Sequence, residues 1–478
     1  MDRAAKTLKK ILIANRGEIA IRVARTASVL GIGAVTVYAE DDTVSLHTRC
    51  ADEACKLTGR GVAAYLDAAG LIAAALETGC DAVHPGYGFL AENAAFARAC
   101  EEAGLIFIGP TPDTLNLFGD KGAARTFAED NNVPVVSGTA GATALAAAQA
   151  FMANLGNDAA VMVKAIAGGG GRGMRPVYAI EDLPATFERC SAEALAAFGN
   201  GELYVERLFP RVRHIEVQVL GDGTGAVTHL WERDCSVQRQ RQKVIEIAPA
   251  PGLAPGVRKR LVAAAIDLAS RAKYRNAGTF EFLVDAADLS DDAEIAFIEA
   301  NARLQVEHTI TEEITGIDLV EAQLRIASGE TLADIMLTQA DIPAPRGTSM
   351  QLRVNLETMT ADGNAKPAGG VLTAYEVPSG AGVRVDGYGY TGYRTSPAFD
   401  SLLAKVIVTA PSGRFSDVVA RAKPAVSEFR VVGAATNTSF LQALLKHPDF
   451  LDGQFHTRFV DDEISTLMTY AEEPQQRL

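Results

Sequence analysis

The chain has 478 residues, 48% of them hydrophobic and 22% charged, which implies two to three domains of an ordinary globular protein. Its 45 Lys+Arg against 59 Asp+Glu leave a net charge of −14, a poor balance for binding nucleic acid or an anionic membrane. No apolar run nears the roughly 20 residues of a membrane span. The basic first ten residues precede Ile11-Leu12-Ile13-Ala14, too short for a signal-peptide core, so a cytoplasmic protein is expected. Cys50, Cys55, Cys80, Cys100, Cys190 and Cys235 show no metal-ligand spacing and read as free thiols, with Cys235 set apart by its charged neighbours.

In chain order, residues 11–14 read as a strand, 18–30 as a helix, 34–38 as a strand and 66–78 as a helix. Strand candidates 82–83 and 106–108 follow, with 91–103 helical between them. This alternation predicts βαβ units and a parallel sheet. Its functional loops would be Asn15-Arg16-Gly17-Glu18 and His84-Pro85-Gly86-Tyr87-Gly88. Helices are expected at 122–131 and 142–154, then a β-rich run, then a helix at 256–273. Pro343-Ala-Pro345-Arg346-Gly347 reads as a linker, followed by β structure to about 408 and helices beyond.

Gly168-Gly-Gly-Gly171-Arg172-Gly173 follows the strand-like 161–164. It matches GxGxxG, yet Met174-Arg175-Pro176-Val177 after it is extended rather than helical, so a dinucleotide fingerprint is excluded. A glycine flap between antiparallel strands, closing over a nucleotide, fits better; a plain surface hairpin is the alternative. Thr279-Phe-Glu281-Phe-Leu283 and 295–299 form a hairpin that would set Glu281 beside Glu299. Two carboxylates with the Asn301 amide suit Mg²⁺. In Glu299-Ala-Asn301-Ala-Arg303-Leu-Gln305-Val-Glu307 five polar side chains alternate, so one continuous strand would place them all on one face. Similarly, Arg239, Arg241 and Lys243 would share a strand face, either a solvated edge or a seat for a small anion.

Together these features resemble an ATP-grasp ligase, and along nearly its whole length the chain resembles biotin carboxylase. The matching blocks are ILIANRGEIAIRV, HPGYGFLAEN, GGGGRGM, ERDCSVQRQRQKVIEIAPAP, RLQVEHTITEEITGIDLV and FDSLLAKV. The resemblance implies a mixed α/β and α+β architecture. Residues 1–119 would form a Rossmann-like pre-ATP-grasp domain, 120–330 an ATP-grasp domain with a lid at about 136–208, and 345–460 a β-rich C-terminal domain.

It also implies roles. Lys121, Lys164, Gly170 and Gly171 would hold ATP phosphates; Glu206, Arg207, Leu208 and Phe209 would line the adenine; His214 would approach the ribose. Glu281, Glu299 and Asn301 would bind two Mg²⁺ (or Mn²⁺). Lys243, Arg303, Gln305 and Val306 would hold bicarbonate, Glu307 would deprotonate it, and Arg353 would stabilise the biotin enolate. Arg241, where the family often has histidine on the ribose side, departs from the pattern, as do Ala302 and Ala167.

No Met-Lys-Met biotin-attachment motif occurs. The expectation is therefore carboxylation of biotin on a separate carrier protein, the first half-reaction of an acyl-CoA carboxylase in fatty acid metabolism. Partners would be the carrier, a carboxyltransferase and a second copy in a homodimer. The alternatives are another ATP-grasp ligase, which would not need the block around Arg353 and Asp400, and a nucleotide-binding regulator, which has no use for a bicarbonate base.

Overall fold

The computed structural model describes residues 7–139, 141–156, 160–166, 173–209, 211–360 and 362–472. Ala167, Gly168, Gly170, Gly171 and Arg172 of the glycine run lie outside them.

Near the N-terminus five strands form one parallel sheet: β1 Lys10–Ile13, β2 Gly33–Tyr38, β3 Glu53–Lys56, β4 Ala82–His84 and β5 Ile106–Phe107, ordered β3-β2-β1-β4-β5. β3, charged and largely exposed, carries no apolar signature. The helix expected over 66–78 is Ala68–Glu77, started by the Asp67 side chain, which accepts from the Gly70 amide; a short separate helix, Gly61–Tyr65, precedes it. The two loops singled out above meet at the C-terminal ends of β1 and β4. Asn15 donates to the carbonyls of Pro85 and Tyr87 at 2.7 and 2.8 Å. Gly86 permits this approach: its φ is +64°, and a Cβ there would lie 2.8 Å from Asn15 Nδ2.

A three-stranded antiparallel sheet follows, in the order β7-β6-β8, from β6 Ala160–Ala165, β7 Met174–Val177 and β8 Leu203–Leu208. Lys164 pairs with Met174 in register, so the glycine run does join two antiparallel strands.

The largest sheet has eight strands. It contains β9 Val212–Asp222, β10 Val227–Arg239, β11 Gln242–Ala248, β12 Arg275–Asp285, β13 Ile295–Asn301 and β14 Thr348–Asn355. Its order is β13-β12-β9-β10-β11-β14, then Leu402–Ala410, then Val383–Gly387. One continuous sheet thus runs from the metal-suited hairpin into the segment beyond the proline-rich linker. The helix Pro255–Arg271 buries Val257, Leu261, Ala265 and Leu268 in the core that also holds Phe280, Phe282 and Phe297. Phe415–Glu428 and Thr438–Lys446 cover the other end of the sheet.

Candidate active site

Alternation along β9 (His214, Glu216, Gln218) and β12 (Thr279, Glu281), paired in register, sends these side chains to one sheet face. On that face Glu281 sits directly across from Glu299, as the hairpin pattern predicts. The single row from Glu299 to Glu307, however, is not one strand. β13 ends at Asn301, Arg303 and Gln305 occupy a loop, and Glu307 is the N-cap residue of the helix His308–Thr315. That helix has its own periodicity, burying Ile310 and Ile314, which ends the extended run before Glu307. The loop still brings its side chains back to the hairpin. Gln305 donates to Glu281 at 3.0 Å, Asn301 donates to Glu281 at 2.5 Å, and Arg303 donates to Asn301 at 3.1 Å and to Gln305 at 2.8 Å.

Glu307 is fully buried and lies between two cations. Lys243 Nζ is 2.6 Å from one carboxylate oxygen and Arg353 is 3.2 Å from the other. Burial alone would raise the Glu307 pKa; Lys243, supported by Arg353 and Arg233, more than reverses this and holds it below the usual range. Lys243 also contacts Glu216 at 2.9 Å and Glu281 at 3.7 Å. Burial opposes its charge, but the acidic groups around it raise its pKa well above normal. Arg233, wholly buried, grips Glu216 at 2.5 Å. Arg353 Nε donates to Glu246 at 2.6 Å. The result is a largely buried, interlocked set of carboxylates and cations, costly to assemble unless each charge is matched.

Toward the nucleotide-suited side, Lys121 lies 3.1 Å from Glu299, and the pairing lowers the pKa of that carboxyl against its burial. Burial would raise the Glu281 pKa, but Lys243 and His214 bring it down to about 2. Lys164 and Glu206, on the neighbouring strands β6 and β8, form an ion pair. Arg207 reaches Glu294 at 3.3 Å and packs on the Phe209 ring, while Leu208 closes β8.

The contacts of His214 and the placement of Arg241 complete this side of the site. His214 turns one ring nitrogen to Glu281, at 2.5 Å, and the other to Gln238, at 2.8 Å, so both face into the protein network. Arg241 does not share a strand face with Arg239 and Lys243. It occupies the two-residue turn between β10 and β11, where Gln240 and Arg241 both have positive φ, as a tight hairpin turn demands. Arg239 consequently points away, to Glu357 at 2.8 Å.

The structure adds participants that the sequence reading missed, Glu92 (2.9 Å from Arg303), Glu216, Arg233 and Glu246, and it brings the singled-out Cys235 thiol to 3.7 Å from Glu307. A signal existed for two of them. Glu216 belongs to an alternating His214-Ile-Glu216-Val-Gln218 run, and Glu246 is a lone charge inside Val244-Ile-Glu246-Ile247. The oxygen donors of Glu281, Glu299 and Asn301 fit a hard divalent cation, and the Lys121 ammonium already shows that positive charge is accepted beside Glu299.

Comparison with known families matches residues 7–115 to "Biotin carboxylase, N-terminal domain". Residues 120–335 match "Carbamoyl-phosphate synthase L chain, ATP binding domain", and 351–462 match "Biotin carboxylase C-terminal domain". The chain is 50% identical to the biotin carboxylase domain of a single-chain bacterial carboxylase, covering 97% of this chain and 99% of that one at a TM-score of 0.86. It is 40% identical to the biotin carboxylase domain of Hydrogenobacter thermophilus 2-oxoglutarate carboxylase, solved as a dimer with MgADP, ADP and bicarbonate. That match covers 97% and 99% of the two chains at a TM-score of 0.89. Human mitochondrial pyruvate carboxylase is 47% identical over 462 residues, 96% of this chain. The chain spans only about 38% of the length of such curated relatives.

Proposed function

The chain belongs to the biotin carboxylase family, and from that premise we propose that it carboxylates biotin at the expense of ATP and bicarbonate. The observation that carries this reading is the buried Glu307 carboxylate held between Lys243 and Arg353.

Bicarbonate would bind against Lys243, Arg303, Gln305 and the Val306 backbone, within reach of Glu307. The depressed pKa of Glu307 keeps it ionised and ready to accept a proton. Its weakness as a base is offset when Lys243 and Arg303 transfer their attraction to the carbonate dianion that forms. The bicarbonate oxygen freed of its proton attacks the γ-phosphorus, ADP departs, and the product is carboxyphosphate. Lys121 and Lys164 would neutralise the phosphates. A divalent cation held by Glu281, Glu299 and Asn301 would supply charge neutralisation at the nucleotide when bound. Carboxyphosphate then yields CO₂ and phosphate, and phosphate takes the N1′ proton of biotin. Arg353 would stabilise the enolate. Protonation of Glu307 in the first step removes one of its two counter-charges, which frees the guanidinium for that second anion.

The biotin would arrive on a carrier outside residues 1–478, which contain no Met-Lys-Met. Its final acceptor would be chosen by groups outside this site. The relatives act in pyruvate and 2-oxoglutarate carboxylases as well as a long-chain acyl-CoA carboxylase, so an acyl-CoA acceptor has no special support. A homodimer is proposed by likeness to the dimeric relative. The test is ATP hydrolysis with and without bicarbonate and free biotin. Cleavage that requires bicarbonate and rises with biotin supports the reading; nucleotide binding without bicarbonate-dependent turnover overturns it.

A further inference from the structure

Glu18, Tyr87 and Lys405, from three of the six family-like blocks, take no part in the mechanism above. Their side chains converge on one point. Lys405 is completely buried, its ammonium 2.9 Å from Glu18 and 3.0 Å from the carbonyl oxygen of Val306. The Tyr87 hydroxyl donates to the same Glu18 oxygen, and the Tyr87 ring lies under the ammonium at 6.0 Å. Lys405 pairs in register with Arg353 on one neighbouring strand and with Asp386 on the other.

A fully buried lysine is a poor way to stabilise a core, since an apolar side chain of similar volume generally does as well or better. Its partners suggest another purpose. One of its donors is directed at main chain, at the peptide that joins Val306 to Glu307. That peptide lies in the turn between the loop and the helix His308–Thr315, where Glu307 takes the N-cap position. No side-chain cap bond fixes this helix start; the turn is closed at the Gln305 carbonyl, which meets the His308 amide at 3.3 Å and the His308 ring at 2.8 Å, and the 306–307 peptide inside that turn is held at its carbonyl by Lys405.

We propose that Lys405 is a positioning residue for the proton-transfer step: by anchoring the Val306 carbonyl to Glu18 and the N-terminal loops, it sets where the Glu307 carboxylate stands between Lys243 and Arg353. This inference rests on the biotin carboxylase reading. It adds that the first turn of the N-terminal helix Gly17–Val29, far from the nucleotide-suited residues in sequence, supports the bicarbonate subsite through one ammonium.

The test compares the wild type with K405M, K405R and the charge-balanced double variant E18Q/K405M, in bicarbonate-dependent ATP cleavage with KM resolved for each substrate. The double variant removes the cation together with its carboxylate, so it remains informative if K405M alone does not fold. Loss of the anchor is expected to cost up to about 10²-fold in kcat/KM for bicarbonate, with KM for ATP nearly unchanged in both K405M and the double variant. K405R, which keeps a donor for the Val306 carbonyl, recovers most of the loss. Wild-type bicarbonate kinetics in the double variant would overturn the proposal, because Lys405 would then only balance Glu18. A parallel rise in KM for ATP that K405R does not relieve would also overturn it, as general damage to the fold. Failure of the wild type to cleave ATP with bicarbonate would instead refute the underlying reading.

Discussion

Lys243→Met isolates the electrostatics of the site. In the native protein the Lys243 ammonium faces Glu307 at 2.6 Å, Glu216 at 2.9 Å and Glu281 at 3.7 Å, and all three carboxyls have lowered pKa values. Those acids therefore stabilise the fold above their unfolded pKa, roughly 4.3 for Glu, and lose that contribution as pH falls through the folded values. Methionine preserves the volume but leaves three buried acids sharing fewer cations. Breaking a buried ionic contact from one side costs about 3–5 kcal/mol, which for a domain of roughly 200 residues is about 6–20 °C in Tm. The variant acids must then have raised pKa values, so their penalty is present at high pH and disappears as protonation relieves it. Thermal unfolding of wild type and variant from pH 8 to pH 5 should show a large gap at pH 8 that narrows on acidification. A gap below about 1 kcal/mol, or one that widens as pH falls, would refute the reasoning.

Glu307→Gln should abolish bicarbonate-dependent ATP cleavage while nucleotide binding, measured by calorimetry, stays near wild type; normal turnover would remove Glu307 from its role. Arg353→Ala should retain bicarbonate-dependent ATP cleavage in part but lose stimulation by biotin, and undiminished stimulation would count against the enolate contact. Glu299→Gln should raise the Mg²⁺ concentration needed for half-maximal ATP turnover by about 10–100-fold, whereas an unchanged Mg²⁺ titration would exclude Glu299 as a ligand. Gly86→Ala should destabilise the protein by about 1–3 kcal/mol, since its φ of +64° and the nearby Asn15 amide leave no room for a Cβ. Unfolding indistinguishable from wild type would contradict that account.

The elements most legible in the sequence were those whose periodicity is local. The parallel N-terminal sheet followed from apolar runs separated by helices, and the Glu281–Glu299 pairing followed from two alternating segments around a short polar turn. Alternation carried no information about where a strand stops. Glu299 to Glu307 kept the period of a strand in its letters although the backbone leaves the sheet after Asn301. Arg241 failed for the same reason, its polar Gln-Arg pair giving no glycine or asparagine to mark the turn. Contacts between distant segments were invisible altogether: nothing local ties Glu92 to Arg303 or Lys405 to Glu18. The proposed roles of Glu307 and Arg353 come from the family resemblance, and the geometry adds the groups that balance these buried charges: Glu246 against Arg353, and Glu216 against Arg233 and Lys243.

The central claim concerns the fate of one carbon atom. With isotopically labelled bicarbonate, ATP, Mg²⁺ and free biotin, the account predicts labelled carboxybiotin that forms only when ATP is present and disappears in Glu307→Gln. Cleavage of ATP with no label reaching biotin would contradict it.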